Sequence, residues 1–132
     1  MESAKARFRL SGTKGSLEGL ALVDTGSLMC VVDEEAADRL GLKPTGRKLK
    51  LTTLSGGEVM CGEMISEFLE LEGEKLVSER VAVCSLPGSV KGKLEAMDVS
   101  PNVIIGVITL EAAGLTVNPL TGELEKLGWL SL

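Results

Sequence analysis

The chain has 132 residues, a formal charge of −5 and 44% hydrophobic residues, of which only two Phe and one Trp are aromatic. A domain of this size buries roughly two thirds of its unfolded surface. A core of Val, Leu, Ile, Met and Ala is therefore expected, and the scattered basic residues argue against a nucleic-acid or anionic-membrane partner. The absence of His removes Ser-His and Cys-His chemistry, leaving carboxylates, lysines or thiols for any catalysis near neutral pH.

The longest apolar run, "VIIGVITL" at 103–110, is far short of the ~20 residues that span a bilayer. "MESAKARFRL" has no apolar signal region, so a cytoplasmic location without a membrane partner is expected. Gln and Tyr are missing while Glu, Lys and Val are plentiful, a lean toward a thermophilic source. Cys30, Cys61 and Cys84 are odd in number, form no CxxC pair and have apolar neighbours, so buried reduced thiols are expected and a metal site is not.

In chain order, "ARFRLSG" and "LEGLALV" flank a Gly/Ser/Lys turn and read as a hairpin. The second strand delivers Asp24. A carboxylate at the end of an apolar strand is expected to lose hydration or to find a hydrogen-bond donor. "LMCVV" reads as a short buried strand, and Asp33 as the N-cap of a two-turn helix that stops at Gly41. From Lys48 to Leu71 the pattern has period two and is broken at "LSGG" (54–57), which predicts a long exposed hairpin.

"EGEK" at 72–75 reads as a turn, "ERVAVCS" as a strand, and "LPGSVKGKLEAMDVSP" (86–101) as a loop. "NVIIG" is an apolar strand, "ITLEAAGL" a short helix ending at Gly114, and "LTVNPLTGELEKL" a strand, an Asn-Pro turn and a strand. Strand, turn and short helix occur at 19–42 and again at 102–115, an echo that suggests two related half-units. No linker breaks the chain, so residues 1–132 read as a single domain.

"LVDTGS" at 22–27, the glycine-bearing hairpin at 52–58 and "NVIIG" at 102–106 resemble, in order and spacing, the retroviral-type (retropepsin-like) aspartic proteases. The resemblance runs over residues 5–128. It implies a mostly β fold, a closed acid-protease-type barrel with one or two short helices, and a homodimer. It also implies an endopeptidase that takes an extended peptide and needs no cofactor. Two carboxylates must share one proton to activate water. The chain has one Asp-Thr-Gly, so the second Asp24 would come from another copy on a two-fold axis.

In this likeness Asp24 is catalytic, and Thr25 hydrogen-bonds across the axis. Gly26 permits the tight turn, and Ser27 hydrogen-bonds near the Asp24 carboxylate. Ser55, Gly56 and Gly57 form a flap tip over the peptide. Val103, Ile104 and Ile105, with Gly106 allowing close approach, lie behind the active-site loop. Where retroviral members pair an Asp with an Arg, this chain has Leu28 and Val107, so an apolar contact is expected.

The tail "LGWLSL" would place Trp129, Leu130 and Leu132 in a terminal sheet between subunits, or back on its own barrel. The rival functions are an inactive dimeric peptide-binding or scaffolding protein on the same fold, and a partner-dependent heterodimer.

Overall fold

A computed structural model describes residues 4–52 and 57–127. The chain opens with the hairpin of β1 (Lys5–Ser11) and β2 (Ser16–Val23), in register from Lys5↔Leu22 to Ser11↔Ser16. After the Asp24 loop come β3 (Val31–Asp33) and α1 (Glu34–Leu40). A long ribbon of β4 (Lys43–Thr52) and β5 (Glu58–Ile65) follows. Next are β6 (Phe68–Leu71), β7 (Glu74–Val77), β8 (Arg80–Cys84) and α2 (Gly88–Ala96). The chain then forms β9 (Val103–Ile105), α3 (Val107–Ala112), β10 (Leu115–Val117) and β11 (Leu124–Lys126).

Strands β1 to β9 form one sheet in the order β4-β5-β8-β3-β9-β2-β1-β6-β7, and β10 and β11 form a separate pair. Alternation decides which side chains are buried. Ala6, Phe8 and Leu10 of β1, Ala21 and Val23 of β2, Leu69 and Leu71 of β6, Val81 and Val83 of β8, and Val103 and Ile105 of β9 share one core. The residues of opposite parity at the sheet centre, Val31, Ala82 and Cys84, join Cys61 in a second cluster. That cluster is completed by Leu49, Leu51 and Val59 of the ribbon with Met29, Leu86 and Ile104. The sheet centre is thus covered on both faces.

The expected barrel is not closed. Strands β4 and β7 are the two edges of the sheet, and no pairing joins them among the described residues. Closure needs outer strands with an apolar face to bury. In β4 only Thr45, Leu49 and Leu51 are half-buried, and in β7 only Leu76. Lys43, Arg47, Lys48 and Lys50 charge the β4 edge and discourage further pairing.

Three other expectations are corrected. The stretch at 86–101 is not a plain loop but carries the nine-residue α2, so there are three helices among the described residues. Helix formers outnumber the glycines there, Pro87 sits at the helix start, and Leu94 is buried as its anchor. The strand expected to run on to Leu71 breaks at Ser66–Glu67, where β6 leaves the ribbon and pairs with β1 instead. Two of the three thiols are not reduced: Cys61 and Cys84 form a disulfide, and Cys30 is the free one.

Asp33 precedes α1 as expected, but its carboxylate does not cap that helix. It accepts the Leu86 N–H at 3.0 Å and Lys91 Nζ at 3.1 Å, tying α1 to α2. The stop at Gly41 holds, with φ 75° and its N–H on the Ala37 and Asp38 carbonyls. Strand β9 runs parallel to β2 and leads into α3, while β2 reaches α1 only through β3. The internal echo extends no further than that.

A second buried carboxylate holds the ribbon's base. Glu63 accepts hydrogen bonds from Thr45 Oγ1 at 2.9 Å, Arg80 at 2.9 Å and Arg47 at 3.2 Å. An irregularity in β4 between Pro44 and Lys48, with Gly46 at φ 88°, accommodates them. The Thr45 hydroxyl outweighs the effect of burial and, with Arg80 and Arg47, holds the Glu63 carboxyl below the usual carboxylate range. At Asp33 burial pushes upward, but the Leu86 N–H and Lys91 prevail and the net shift is again downward.

Because both carboxyls are depressed in the folded state, their stabilisation is complete above the ordinary carboxylate pKa of about 4. It is lost as pH falls through the folded values. Melting temperature should therefore stay level from neutral pH down to about 5 and fall steeply below about 4. Glu63→Gln should melt lower at neutral pH and show a shallower acid limb. An acid limb identical to that of the wild type would remove Glu63 from this role.

Candidate active site

Apolar pairing carries β2 to Val23, and the chain turns at once. The Asp24 N–H donates to the Ile105 carbonyl at 2.9 Å, and the Ser27 N–H to the Asp24 carbonyl at 3.1 Å. The Asp24 Oδ1 accepts the Gly26 N–H at 2.9 Å, a side-chain turn of the kind short acids make. A Cβ on Gly26 would stand 3.3 Å from that same oxygen, so glycine keeps the carboxylate uncrowded. The donor expected for Asp24 is thus present, but the loss of hydration is not: Asp24, Thr25 and Gly26 are all exposed in the single chain.

Ser27 serves a different oxygen from the one expected. Its hydroxyl donates to the Met29 carbonyl at 2.8 Å and so braces the loop backbone. Leu28 is 68% exposed, so no apolar side-chain contact within the chain buries it. Backbone joins the two segments instead: the Val107 N–H donates to the Ser27 carbonyl at 2.8 Å and the Ile108 N–H to the Leu28 carbonyl at 3.0 Å.

Strand β9 lies between the two strands that flank the loop. It pairs parallel with β2, Leu22↔Ile104 and Val23↔Ile105, and antiparallel with β3, Val31↔Ile104 and Val32↔Val103. Val103 and Ile105 are fully buried, while Ile104 points to the second cluster. At Gly106 the backbones touch so closely that a Cβ would overlap the Met29 carbonyl and approach the Leu28 carbonyl oxygen at 2.8 Å. The Gly106 N–H donates to Cys30 Sγ at 3.4 Å.

The chain's other candidate groups are committed elsewhere. Asp33 is bound to Lys91 and Leu86. Asp38 lies on α1, and Asp98 has φ 59° in the turn after α2. Burial pushes the Cys30 thiol up to about 11, which leaves it protonated and a poor nucleophile at neutral pH. No group of three or more potential metal ligands forms among the described residues.

The ribbon expected as the flap is present from Lys48↔Gly62 to Thr52↔Glu58. Gly57 is exposed; Ser55 and Gly56 at its tip lie outside the described residues, as do Trp129, Leu130 and Leu132. Sequence reasoning missed the Cys61–Cys84 bond, the Asp33–Lys91 pair and the Glu63 cluster. Each joins segments whose pairing depends on sheet order, and no local pattern encodes that order.

Gly106→Ala tests the close approach. Its methyl meets fixed backbone, so the variant should lose about 1–3 kcal/mol of stability, read by denaturant unfolding. A loss below about 0.5 kcal/mol would show that the loop yields.

Residues 8–109 match the model of an aspartyl protease family. No curated protein gives a significant match. The matched span begins in β1, takes in the Asp24 loop and the ribbon, and ends within α3 just past Gly106, so it contains every contact that shapes the loop. The chain belongs to this aspartyl protease family of the retropepsin-like clan.

Proposed function

We propose that the chain, read as one domain over residues 1–132, is an aspartic endopeptidase that works as a homodimer, with Asp24 of each copy meeting on the two-fold axis. The observation that carries this reading is the state of Asp24. It is exposed, oriented by the Gly26 N–H and backed by β9, while Asp33 is engaged by Lys91 and Leu86 and Asp38 and Asp98 belong to other elements. An exposed, well-held carboxylate in the one Asp-Thr-Gly of the sequence fits half of a shared site.

Between the two carboxylates, one ionised and one protonated, a water would be deprotonated as it attacks the scissile carbonyl. The protonated partner would donate to the carbonyl oxygen, and the roles exchange as the amine leaves. Thr25 would bridge the loops across the axis, and Gly26 would keep the turn tight. Val103, Ile104, Ile105 and Gly106 would fix the floor, and the ribbon, with Ser55, Gly56 and Gly57 at its tip, would cover an extended peptide. None of these roles asks for a metal or an organic cofactor.

The rival of an inactive peptide-binding dimer is favoured by one observation. Leu28 stands exposed where the retroviral likeness would have an Asp available to the substrate backbone. As to location, no helix among the described residues is long and apolar enough to cross a membrane. The proposed cytoplasmic location is compatible with a lasting Cys61–Cys84 bond in a hyperthermophile, or with a bond that is reversibly reduced, because other cytosols keep thiols reduced.

Asp24→Asn should lower cleavage of a mixed peptide library by on the order of 10³-fold or more while the melting temperature changes little. Mixing decides the stoichiometry. An excess of the Asn variant over wild type should drive activity toward zero as mixed dimers form, whereas an active monomer would keep its full rate. The rate should follow a bell with its maximum at acid to mildly acid pH, because the pair must hold one proton and titrates as a unit. A rate still climbing at alkaline pH would transfer the chemistry to a lysine or a thiol.

A further inference from the structure

The Cys61–Cys84 bond lies where the ribbon leaves the body of the sheet. The β5–β8 ladder runs from Ile65↔Arg80 to Gly62↔Val83. Cys61 and Cys84 are the next pair along it, with Cα atoms 4.7 Å apart. Beyond this point Glu58, Val59 and Met60 pair with β4, not with β8. The disulfide is therefore the outermost link between β5 and the strand beneath it.

An isolated two-stranded ribbon is marginal in water, so its position depends on what holds its root. Besides the Glu63 cluster at its base, two things hold it further out: the disulfide, and the packing of Leu49, Leu51 and Val59 with Met29 and Ile104 in the same cluster. Met29 belongs to the Asp24 loop, and its carbonyl takes the Ser27 hydroxyl. A change at the sulfurs therefore reaches the loop through one layer of side chains. Both cysteines are buried, yet each adjoins an exposed residue, Met60 on one strand and Ser85 on the other. Local opening of the ribbon from β8 can uncover the sulfurs without global unfolding.

We propose that Cys61–Cys84 is a thiol–disulfide exchange site at which a dithiol reductant loosens the ribbon and weakens its grip on peptide, an inference that rests on the protease reading above for the identity of the ligand. A thiolate of the reductant attacks one sulfur, the S–S bond breaks, and a mixed disulfide forms. The reductant's second thiolate then displaces the protein sulfur. The reductant leaves as an internal disulfide, and its two electrons and two protons remain on Cys61 and Cys84 as thiols. By linkage, bound peptide favours the disulfide by the same factor by which reduction weakens peptide binding.

The test compares the full chain oxidised, the same chain held in dithiothreitol without oxygen, and the double variant Cys61→Ala/Cys84→Ala. The reduced wild type serves if the variant fails to fold. Amide exchange over 48–52 and 58–61 should accelerate by about tenfold or more on reduction, with β1, β2 and β9 unchanged. For peptide cleavage, KM should rise several-fold, roughly three to ten, with kcat altered less than about twofold.

Equal exchange of the ribbon in both redox states would overturn the proposal, as would loosening spread equally over β1 and β2, the mark of a general staple. Faster ribbon exchange with no cleavage by either form would support the exchange site and overturn the protease reading.

Discussion

Everything proposed for this molecule depends on a three-residue strand. Val103–Ile105 pairs with β2 on one side and β3 on the other, so the loop between those two strands is closed around it. Its carbonyl at Ile105 receives the Asp24 N–H, and Gly106 then lets the chain pass against the Met29 carbonyl. Two backbone donors at the start of α3 complete the hold on Ser27 and Leu28. The loop is therefore fixed largely by main chain, with the Ser27 hydroxyl as a brace, and Asp24, Thr25 and Leu28 are left facing outward.

That arrangement explains why an exposed carboxylate can be well oriented. A surface aspartate on an unsupported turn samples several rotamers, whereas Asp24 stands on a backbone bonded at both of its neighbouring segments and accepts its own loop's N–H. The burial that this requires falls on other residues. Val103 and Ile105 are fully buried in the main core, and Ile104 faces the second cluster. One short strand thus joins the two apolar layers, so the ribbon that packs on the second layer senses the same element that supports the loop.

Much of the fold was legible because its period-two segments are clean. The β1–β2 hairpin, the turn at Glu72 and Gly73, the stop at Gly41 and the final Asn-Pro turn follow local rules. The Asp24 loop was legible for a different reason, the resemblance of "LVDTGS" and "NVIIG" to a known family. What local rules cannot give is the order of strands. The disulfide needs β5 beside β8, and the Glu63 cluster needs β4 beyond both. The helix over Gly88–Ala96 was hidden by Gly88, Gly92 and Pro87, which read as loop signals until the buried Leu94 and the Lys91–Asp33 pair are taken into account. Ser27 misled because a hydroxyl near a carboxylate also has carbonyls within reach, and the backbone acceptor prevailed.

The placement of charge sets two demands against each other. A pair of carboxylates sharing one proton works on the acid side of neutrality. The carboxylates that hold the scaffold, Asp33 between α1 and α2 and Glu63 at the ribbon's base, must stay ionised to keep their partners. Both are held below the usual carboxylate range, Glu63 chiefly by the Thr45 hydroxyl and Asp33 by hydrogen bonds that overcome its burial. Lowering these values moves the loss of scaffold toward stronger acid and leaves a window in which the proposed dyad would hold its proton while the ribbon keeps its base. On the proposed mechanism, the acid limb of a rate profile combines two events, protonation of the dyad and failure of the scaffold. They separate by reversibility at short times, because a proton leaves a carboxylate at once when pH is restored, whereas a ribbon that has lost Glu63 must refold.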